Sequence, residues 1–304
     1  MSVTIVASEH EPDVDVDRQR VAGARLGEYF QVMKKGLFAV LVAGTLLLVA
    51  SLALAHDLFL KLDTYFLEPR TRVRVSVLNG TFAKSEGFVA PDRVADISVV
   101  APGGRTRLRA ATAWSRGPDS TSLLSLPLGA PGTYVVGVST KTREIELGAE
   151  DFNAYLEEDG IADVLEARRR DNELGKGARE RYSKHVKAVF QVGRDRSDGF
   201  NVTLGYPAEI VPLDNPYGMD RGAALRVRCL VDGRPVANQV VLWGGEQGGQ
   251  TPGPRSTRTG PDGVAEVTLD APGRWYVKFV HMVRATERGL DYESKWATLT
   301  FEVR

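Results

Sequence analysis

Two stretches of sequence decide the fold class: Leu128-Gly129-Ala130-Pro131-Gly132-Thr133-Tyr134-Val135-Val136 and Leu269-Asp270-Ala271-Pro272-Gly273-Arg274-Trp275-Tyr276-Val277. Each consists of the end of an apolar strand, an Ala-Pro-Gly turn and a second strand that begins close to an aromatic residue. A Pro-Gly pair suits the central positions of a type II turn, because glycine accepts the positive φ required there. Two such hairpins, far apart in the chain, predict a mainly β protein with two tandem immunoglobulin-like β-sandwich domains.

The sequence between the two hairpins has the periodicity of helices. Apolar residues three or four positions apart predict helices over 150–158, 161–172 and 178–189. We expect the many charged residues of this segment, including Arg168-Arg169-Arg170, to lie on solvated helix surfaces. His185 is also expected to be exposed.

Domain boundaries follow from these changes of pattern. Polar and apolar residues alternate over 71–80, as in a half-buried strand, and β patterning returns at 200–204. The sequence therefore predicts a first β-sandwich domain at 56–148, a helical insert at 149–192 and a second β-sandwich domain at 193–304.

The N-terminal region has the pattern of a secretory signal peptide. Lys34 and Lys35 precede an apolar run that ends in Ala53-Leu54-Ala55, a small-x-small cleavage site. We expect residues 33–55 to be this signal peptide, with cleavage before His56. The alternative is an uncleaved transmembrane helix over 37–55. Both interpretations place the rest of the chain outside the cytoplasm.

Residues 1–32 do not fit a signal peptide, because they carry several acidic side chains. Met33 begins a well-formed signal by itself. Residues 1–32 are therefore expected to be a disordered or over-called N-terminal extension.

Composition limits the function classes. Lys and Arg together number 39, as do Asp and Glu, so no overall charge favours nucleic acid as a partner. Cys229 is the only cysteine, so an intramolecular disulfide is impossible. We expect a periplasmic protein that depends on a large apolar core for stability.

The sequence contains none of the common catalytic motifs. It has no G-x-S-x-G elbow, no Walker loop and no H-E-x-x-H helix. The glycine-rich segment 244–249 is followed by prolines instead of a helix, so it predicts a loop and not a phosphate site. We expect that the protein is not an enzyme.

His56 and His281 are the candidate metal ligands. After cleavage before His56, its α-amine and its imidazole would form a bidentate nitrogen clamp for Cu or Ni. His281 shares a strand face with Val277 and Phe279, which is compatible with a third nitrogen ligand or with a hydrogen-bonded core histidine. Possible accessory residues near these ligands are Asp57, Met282, Tyr292 and Glu293.

Several motifs together resemble the domain-of-unknown-function family DUF4198. The resemblance covers nearly all of residues 56–304 and rests on 55–57, 179–187, 205–212, 259–264, 281–284 and 296–301. Bacterial members are often labelled as periplasmic components of cobalt or nickel uptake. The resemblance implies metal-related roles for His56 and His281.

Two hypotheses for function remain open at this point. The first is an extracytoplasmic metal-binding protein that takes part in uptake or delivery of Ni, Co or Cu, with a metal transporter or envelope protein as its partner. The alternative is a structural or interaction module of the cell envelope without metal chemistry. Neither hypothesis involves nucleic acid, and each involves the membrane only through residues 37–55 if these are not cleaved.

Overall fold

The computed structural model describes residues 56–219 and 222–304, which belong to one compact unit. The expected N-terminal extension at 1–32 and the signal peptide or anchor at 33–55 lie outside the described residues. Within the described residues, no helix is both long and apolar enough to cross a membrane. Strands dominate the regular structure, so the prediction of a mainly β protein is confirmed.

A ten-stranded sheet forms the central layer of the protein. Eight of its strands follow the order β15-β14-β17-β18-β10-β8-β4-β5, and β2 and β9 each pair with β10. The ten strands are β2 (Phe66–Leu67), β4 (Val94–Ala101), β5 (Gly104–Arg107), β8 (Gly132–Thr140), β9 (Arg143–Leu147), β10 (Ala178–Val192), β14 (Val240–Gln247), β15 (Arg255–Arg258), β17 (Gly273–Arg284) and β18 (Tyr292–Val303).

Two four-stranded sheets accompany the central sheet. The first has the order β1-β3-β7-β6; in the second, β11 and β12 are followed by β13, and β16 also pairs with β12. Their strands are β1 (Asp57–Lys61), β3 (Arg72–Gly80), β6 (Trp114–Arg116), β7 (Ser122–Pro127), β11 (Ala208–Pro212), β12 (Ala224–Val231), β13 (Arg234–Pro235) and β16 (Val264–Thr268). The helices are α1 (Ala110–Ala113), α2 (Ala149–Glu158) and α3 (Ala162–Arg170), with short 3-10 turns at Pro91–Arg93, Asp198–Asn201 and Pro216–Gly218.

The two smaller sheets contact opposite faces of the central sheet. Thr298 and Thr300 in β18 donate hydrogen bonds from Oγ1 to the carbonyls of Leu58 and Leu60 in β1, at 2.9 and 2.5 Å. Lys187 pairs in register with Leu299, so it lies on the opposite face from these threonines. Its ammonium contacts Glu209 in β11 at 3.0 Å. The arrangement is a three-layer β structure.

Strand β10 corrects the sequence prediction for 178–189, which was a helix. This segment pairs in parallel with β18 and antiparallel with β8 and β9. Both faces of β10 are covered, so nearly every residue is buried and the two-residue period of a strand is hidden. His185, expected to be exposed, is only 2% exposed.

Because β10 joins strands from both predicted sandwich domains, the regions 56–148 and 193–304 are not independent sandwiches. One sheet runs through both of them. The two Ala-Pro-Gly turns are present before β8 and before β17, but the predicted hairpins are wrong: β7 and β8, and likewise β16 and β17, belong to different sheets. Each turn carries the chain from a smaller sheet into the central sheet.

The helical insert consists of α2 and α3, as predicted for the first two of its three segments. Phe152, Tyr155 and Leu156 form the buried face of α2 and pack on Tyr182 and Trp296 of the central sheet. Gly160 ends the turn after α2 with a φ of +70°, and a Cβ there would meet Leu242 at 2.8 Å.

Arg168 differs from the expectation of a solvated surface. Its side chain is 1% exposed and donates to Asn153 Oδ1 and to the carbonyls of Glu173 and Lys176. It therefore fastens the loop after α3 to α2.

Candidate functional site

The chain enters the core directly after His56. Leu58 and Leu60 are almost fully buried, and β1 pairs with β3 from Asp57 onward. Strand β1 also contacts β10 and β18 of the central sheet. This anchoring fixes the backbone that follows His56.

A cluster of buried charges surrounds the start of β1. Lys278 Nζ lies 2.5 Å from Asp57 Oδ2 and 3.0 Å from Asp159 Oδ1, which follows α2. Lys184 Nζ donates a hydrogen bond to the carbonyl of His56. The N-terminal strand, the helical insert and two strands of the central sheet therefore meet at one group of ionic contacts.

Burial and neighbouring charges act in opposite directions within this cluster. Burial raises the pKa of Asp159 to about 7, although Lys278 opposes the shift. Burial lowers the pKa of Lys184 to about 8, against the attraction of Asp57 and Asp159. Burial also opposes the charge of Lys278, but the two carboxylates outweigh it and raise the pKa of Lys278. Of these two lysines, Lys278 therefore keeps its positive charge to higher pH.

A narrow cavity lies beside Lys184, with room for about one water molecule. The ammonium of Lys184 stands 4.8 Å from the ring centre of Trp296 and 5.6 Å from that of Tyr182. Glu180 also lines the cavity, and burial raises its pKa. The walls combine aromatic rings with one cation and one carboxyl group.

The imidazole of His56 lies next to Glu86. Nε2 of His56 is 2.6 Å from Glu86 Oε2, but the approach does not have hydrogen-bond geometry. Nε2 is buried and has no hydrogen-bond partner among the described residues. The side chain of His56 is 22% exposed and that of Glu86 38%, so the pair borders solvent. The carboxylate of Glu86 thus faces Nε2, and Nδ1 is the ring nitrogen left to act as a donor together with an α-amine on His56.

His281 is not brought to His56. It lies three residues from Lys278 on β17, so the two side chains project from opposite faces of the sheet. Lys278 contacts Asp57, the neighbour of His56, whereas His281 Nδ1 lies 3.0 Å from Gln239 Oε1. His281 occupies a cleft between residues 160–164 of the insert and 236–240, and burial lowers its pKa.

The expected accessory residues have other contacts. Asp57 pairs with Lys278, and Met282 and Tyr292 are buried in the core under the helical insert. Glu293 is partly exposed and lies 3.5 Å from Arg181. Of the four, only Asp57 lies in the cluster at the start of β1.

Side chains of the described residues provide no group of three or more His, Cys, Asp or Glu placed to hold a metal ion. Cys229 is fully buried in the main core, and burial raises the pKa of its thiol far above the usual range.

Sequence reasoning missed Glu86, Asp159, Lys184 and Lys278. The sequence contains one signal for Lys278. Tyr276 and Val280 lie two positions before and after it, so this lysine shares a strand face with apolar residues that are expected to be buried. Such a lysine requires a carboxylate partner, but the pattern does not identify Asp57, which lies 221 positions away.

Comparison with solved structures gives distant likenesses. The D0-D1 domain of intimin is 13% identical with a TM-score of 0.19, over 81% of this chain and 97% of that one. A DUF4785 family protein from Legionella pneumophila is 11% identical with a TM-score of 0.23, over 73% of this chain and 51% of that one. Salmonella α-2-macroglobulin is 11% identical with a TM-score of 0.24, over 82% of this chain and only 15% of that one. At these TM-scores the likenesses carry no argument about this protein.

Comparison of the sequence identifies its family. No curated protein matches the chain significantly. The family model described as "Domain of unknown function (DUF4198)" matches residues 53–283, most of the chain. This protein belongs to the DUF4198 family.

Proposed function

We propose that this protein is an extracytoplasmic metal-binding protein that takes part in uptake or delivery of Cu, Ni or Co. Signal-peptide cleavage before His56 would create its metal site. The observation that carries the proposal is the fixed backbone at this point: Lys184 holds the carbonyl of His56, and Lys278 holds the carboxylate of Asp57. A mature N-terminus at His56 would therefore be ordered.

The donor set suits late divalent transition metals. The new α-amine and the imidazole Nδ1 of His56 would supply two nitrogens to one chelate ring. Glu86 lies 2.6 Å from Nε2, the ring nitrogen that such a chelate leaves free, so its carboxylate would orient the imidazole from behind. Intrinsic affinity of nitrogen-rich sites favours Cu(II) over Ni(II) and Co(II), so availability would decide the metal in the cell.

The proposal also concerns the compartment in which the protein acts and the protein that receives or supplies the metal. A metal bound beside solvent at the start of β1 would be accessible to a metal transporter or another envelope protein of the periplasm. The protein would act as a carrier and not as an enzyme. Its two β regions would be immunoglobulin-like modules that share the central sheet and hold the N-terminus against the helical insert.

A second candidate is a structural or interaction module of the envelope. The placement of His56 and His281 on opposite faces favours it, because the expected third nitrogen ligand is lost. In this case the buried charges at the start of β1 would serve only to join the insert to the sheet.

Titration of Cu(II), Ni(II) and Co(II) into the mature protein, residues 56–304, separates the two candidates. Acetylation of the α-amine of His56 removes this donor, and we expect at least tenfold weaker binding. Glu86→Gln should also weaken binding, whereas His281→Ala, the matched control on the other face, should not. Equal affinity before and after acetylation of the α-amine would exclude the proposed site.

A further inference from the structure

Lys184 is a buried cation that contacts a main-chain carbonyl. Its residue exposure is only 5%, and its ammonium donates to the carbonyl of His56. The rings of Trp296 and Tyr182 flank the ammonium at cation–π distances. These rings limit where the ammonium can lie.

Two other buried lysines show the usual arrangement. Lys187 contacts the carboxylate of Glu209, and Lys278 contacts two carboxylates. Among the described residues, Lys184 has no carboxylate within ion-pair distance. A buried charge without a carboxylate partner is costly, and burial accordingly lowers the pKa of Lys184.

The carbonyl of His56 lies ahead of the first strand pair. The ladder between β1 and β3 begins at Asp57, opposite Gly80, and chain ends fray when nothing holds them. The hydrogen bond from Lys184 therefore holds His56, a residue that the β1–β3 ladder does not include.

We propose that Lys184 is the positioning residue of the His56 site: its ammonium, held between Trp296 and Tyr182, orders the main chain of His56 for ligand binding. The metal-binding part of this inference rests on the proposed function. The ordering of His56 does not, because it concerns the protein without metal.

The test compares three forms of the mature protein with wild type. Lys184→Met removes the charge at similar length, and Lys184→Arg keeps a donor. The double variant Lys187→Met/Glu209→Gln is the control, because it removes a buried charge pair from the other face of the same strand. Amide hydrogen exchange at Asp57 and Leu58, urea unfolding and Cu(II) affinity are measured for each.

We expect Lys184→Met to fold with global stability equal to or above wild type, since it removes an unpaired buried charge. Exchange at Asp57 and Leu58 should nevertheless become at least tenfold faster, and Cu(II) binding at least tenfold weaker. Lys184→Arg should restore slow exchange. In the control, the exchange rate at these amides should keep the same ratio to the rate expected from global unfolding.

Unchanged exchange in Lys184→Met would overturn the inference, and so would failure of that variant to fold while the control folds. If wild type binds no Cu(II) but Lys184→Met still speeds exchange, the proposed function fails and the positioning of His56 by Lys184 stands.

Discussion

Trp275 donates a hydrogen bond from its indole Nε1 to the carbonyl of Ala271, four residues earlier and 3.2 Å away. Tyr134 makes the corresponding contact to the carbonyl of Ala130 at 2.7 Å. Both alanines begin an Ala-Pro-Gly turn that leads from a smaller sheet into the central sheet. The sequence repeat is therefore a repeated local structure, in which an aromatic residue fastens the new strand to the turn before it.

Truncation of Trp275 should severely destabilise the protein. The side chain is 0% exposed, and removal of a buried aromatic costs about 3–5 kcal/mol. Trp275→Phe keeps most of the buried volume and loses the hydrogen bond, so it should cost much less. Urea unfolding of both variants measures the difference. A loss below about 1 kcal/mol for Trp275→Ala would show that the indole is not part of a well-packed core.

The buried pair of Lys187 and Glu209 should behave as one unit. The Glu209 carboxylate also accepts hydrogen bonds from the backbone N–H groups of Leu204, Gly205 and Tyr206. Lys187→Met leaves this carboxylate buried and unpaired, which should cost about 3–5 kcal/mol. Adding Glu209→Gln removes the charge and should recover part of the loss in urea unfolding. Additive losses in the double variant would show that the two groups are not coupled.

His185 should make stability depend on pH below neutrality. Its ring nitrogens lie 2.9 Å from the hydroxyls of Ser139 and Ser183, and burial lowers its pKa to about 4. Between the folded value and the ordinary value of 6.5, only the unfolded chain binds the proton, so stability rises with pH.

The free energy of unfolding is measured for wild type and for His185→Gln, and the difference between them is followed with pH. Asp159 contributes the opposite pH dependence to both proteins, so its contribution cancels in the difference. The difference should rise by roughly 3 kcal/mol from pH 4 to pH 7. If this difference does not change with pH, His185 is protonated equally in the folded and unfolded states.

Local patterns predicted much of the fold. Turn residues and helical spacing identified the two Ala-Pro-Gly turns, α2 and the approximate position of α3, because these structures depend on nearby residues. The strand pairing expected across the two turns was wrong, because each turn joins strands of two different sheets. Strand β10 was missed because its two covered faces remove the alternation, and its buried Lys184, His185 and Lys187 resemble a solvated surface. Their partners are contributed by distant segments, which no local pattern identifies.

The candidate site was predicted in part for the same reason. His56 follows from the cleavage motif, a local signal. Glu86, Lys184, which contacts His56, and Lys278, which contacts Asp57, come together only when β1, the loop after β3, β10 and β17 are assembled. The cleavage motif, the strand pattern and the family resemblance suggest His56 and His281 as ligands of one metal, but the alternation of side chains on β17 separates them.

Processing of the N-terminus is the premise of the proposed site. Lys34-Lys35, the apolar run and Ala53-Leu54-Ala55 predict release of a protein whose first residue is His56. Intact-mass analysis of protein recovered from the periplasm should give a chain that starts there. Recovery of a membrane-bound product that retains residues 37–55 would contradict this premise.

The EPR spectrum of one equivalent of Cu(II) tests the central claim most directly. The spectrum is recorded on the mature protein and on the same protein with Ala55 retained. We predict coordination by the α-amine and imidazole nitrogens of His56 in the mature form. Once Ala55 is present the spectrum should change, because the α-amine then belongs to Ala55 and the amide nitrogen of His56 lies within the chelate. Identical spectra from the two forms, or the spectrum of unbound aqueous Cu(II) from the mature protein, would contradict a metal site created by cleavage before His56.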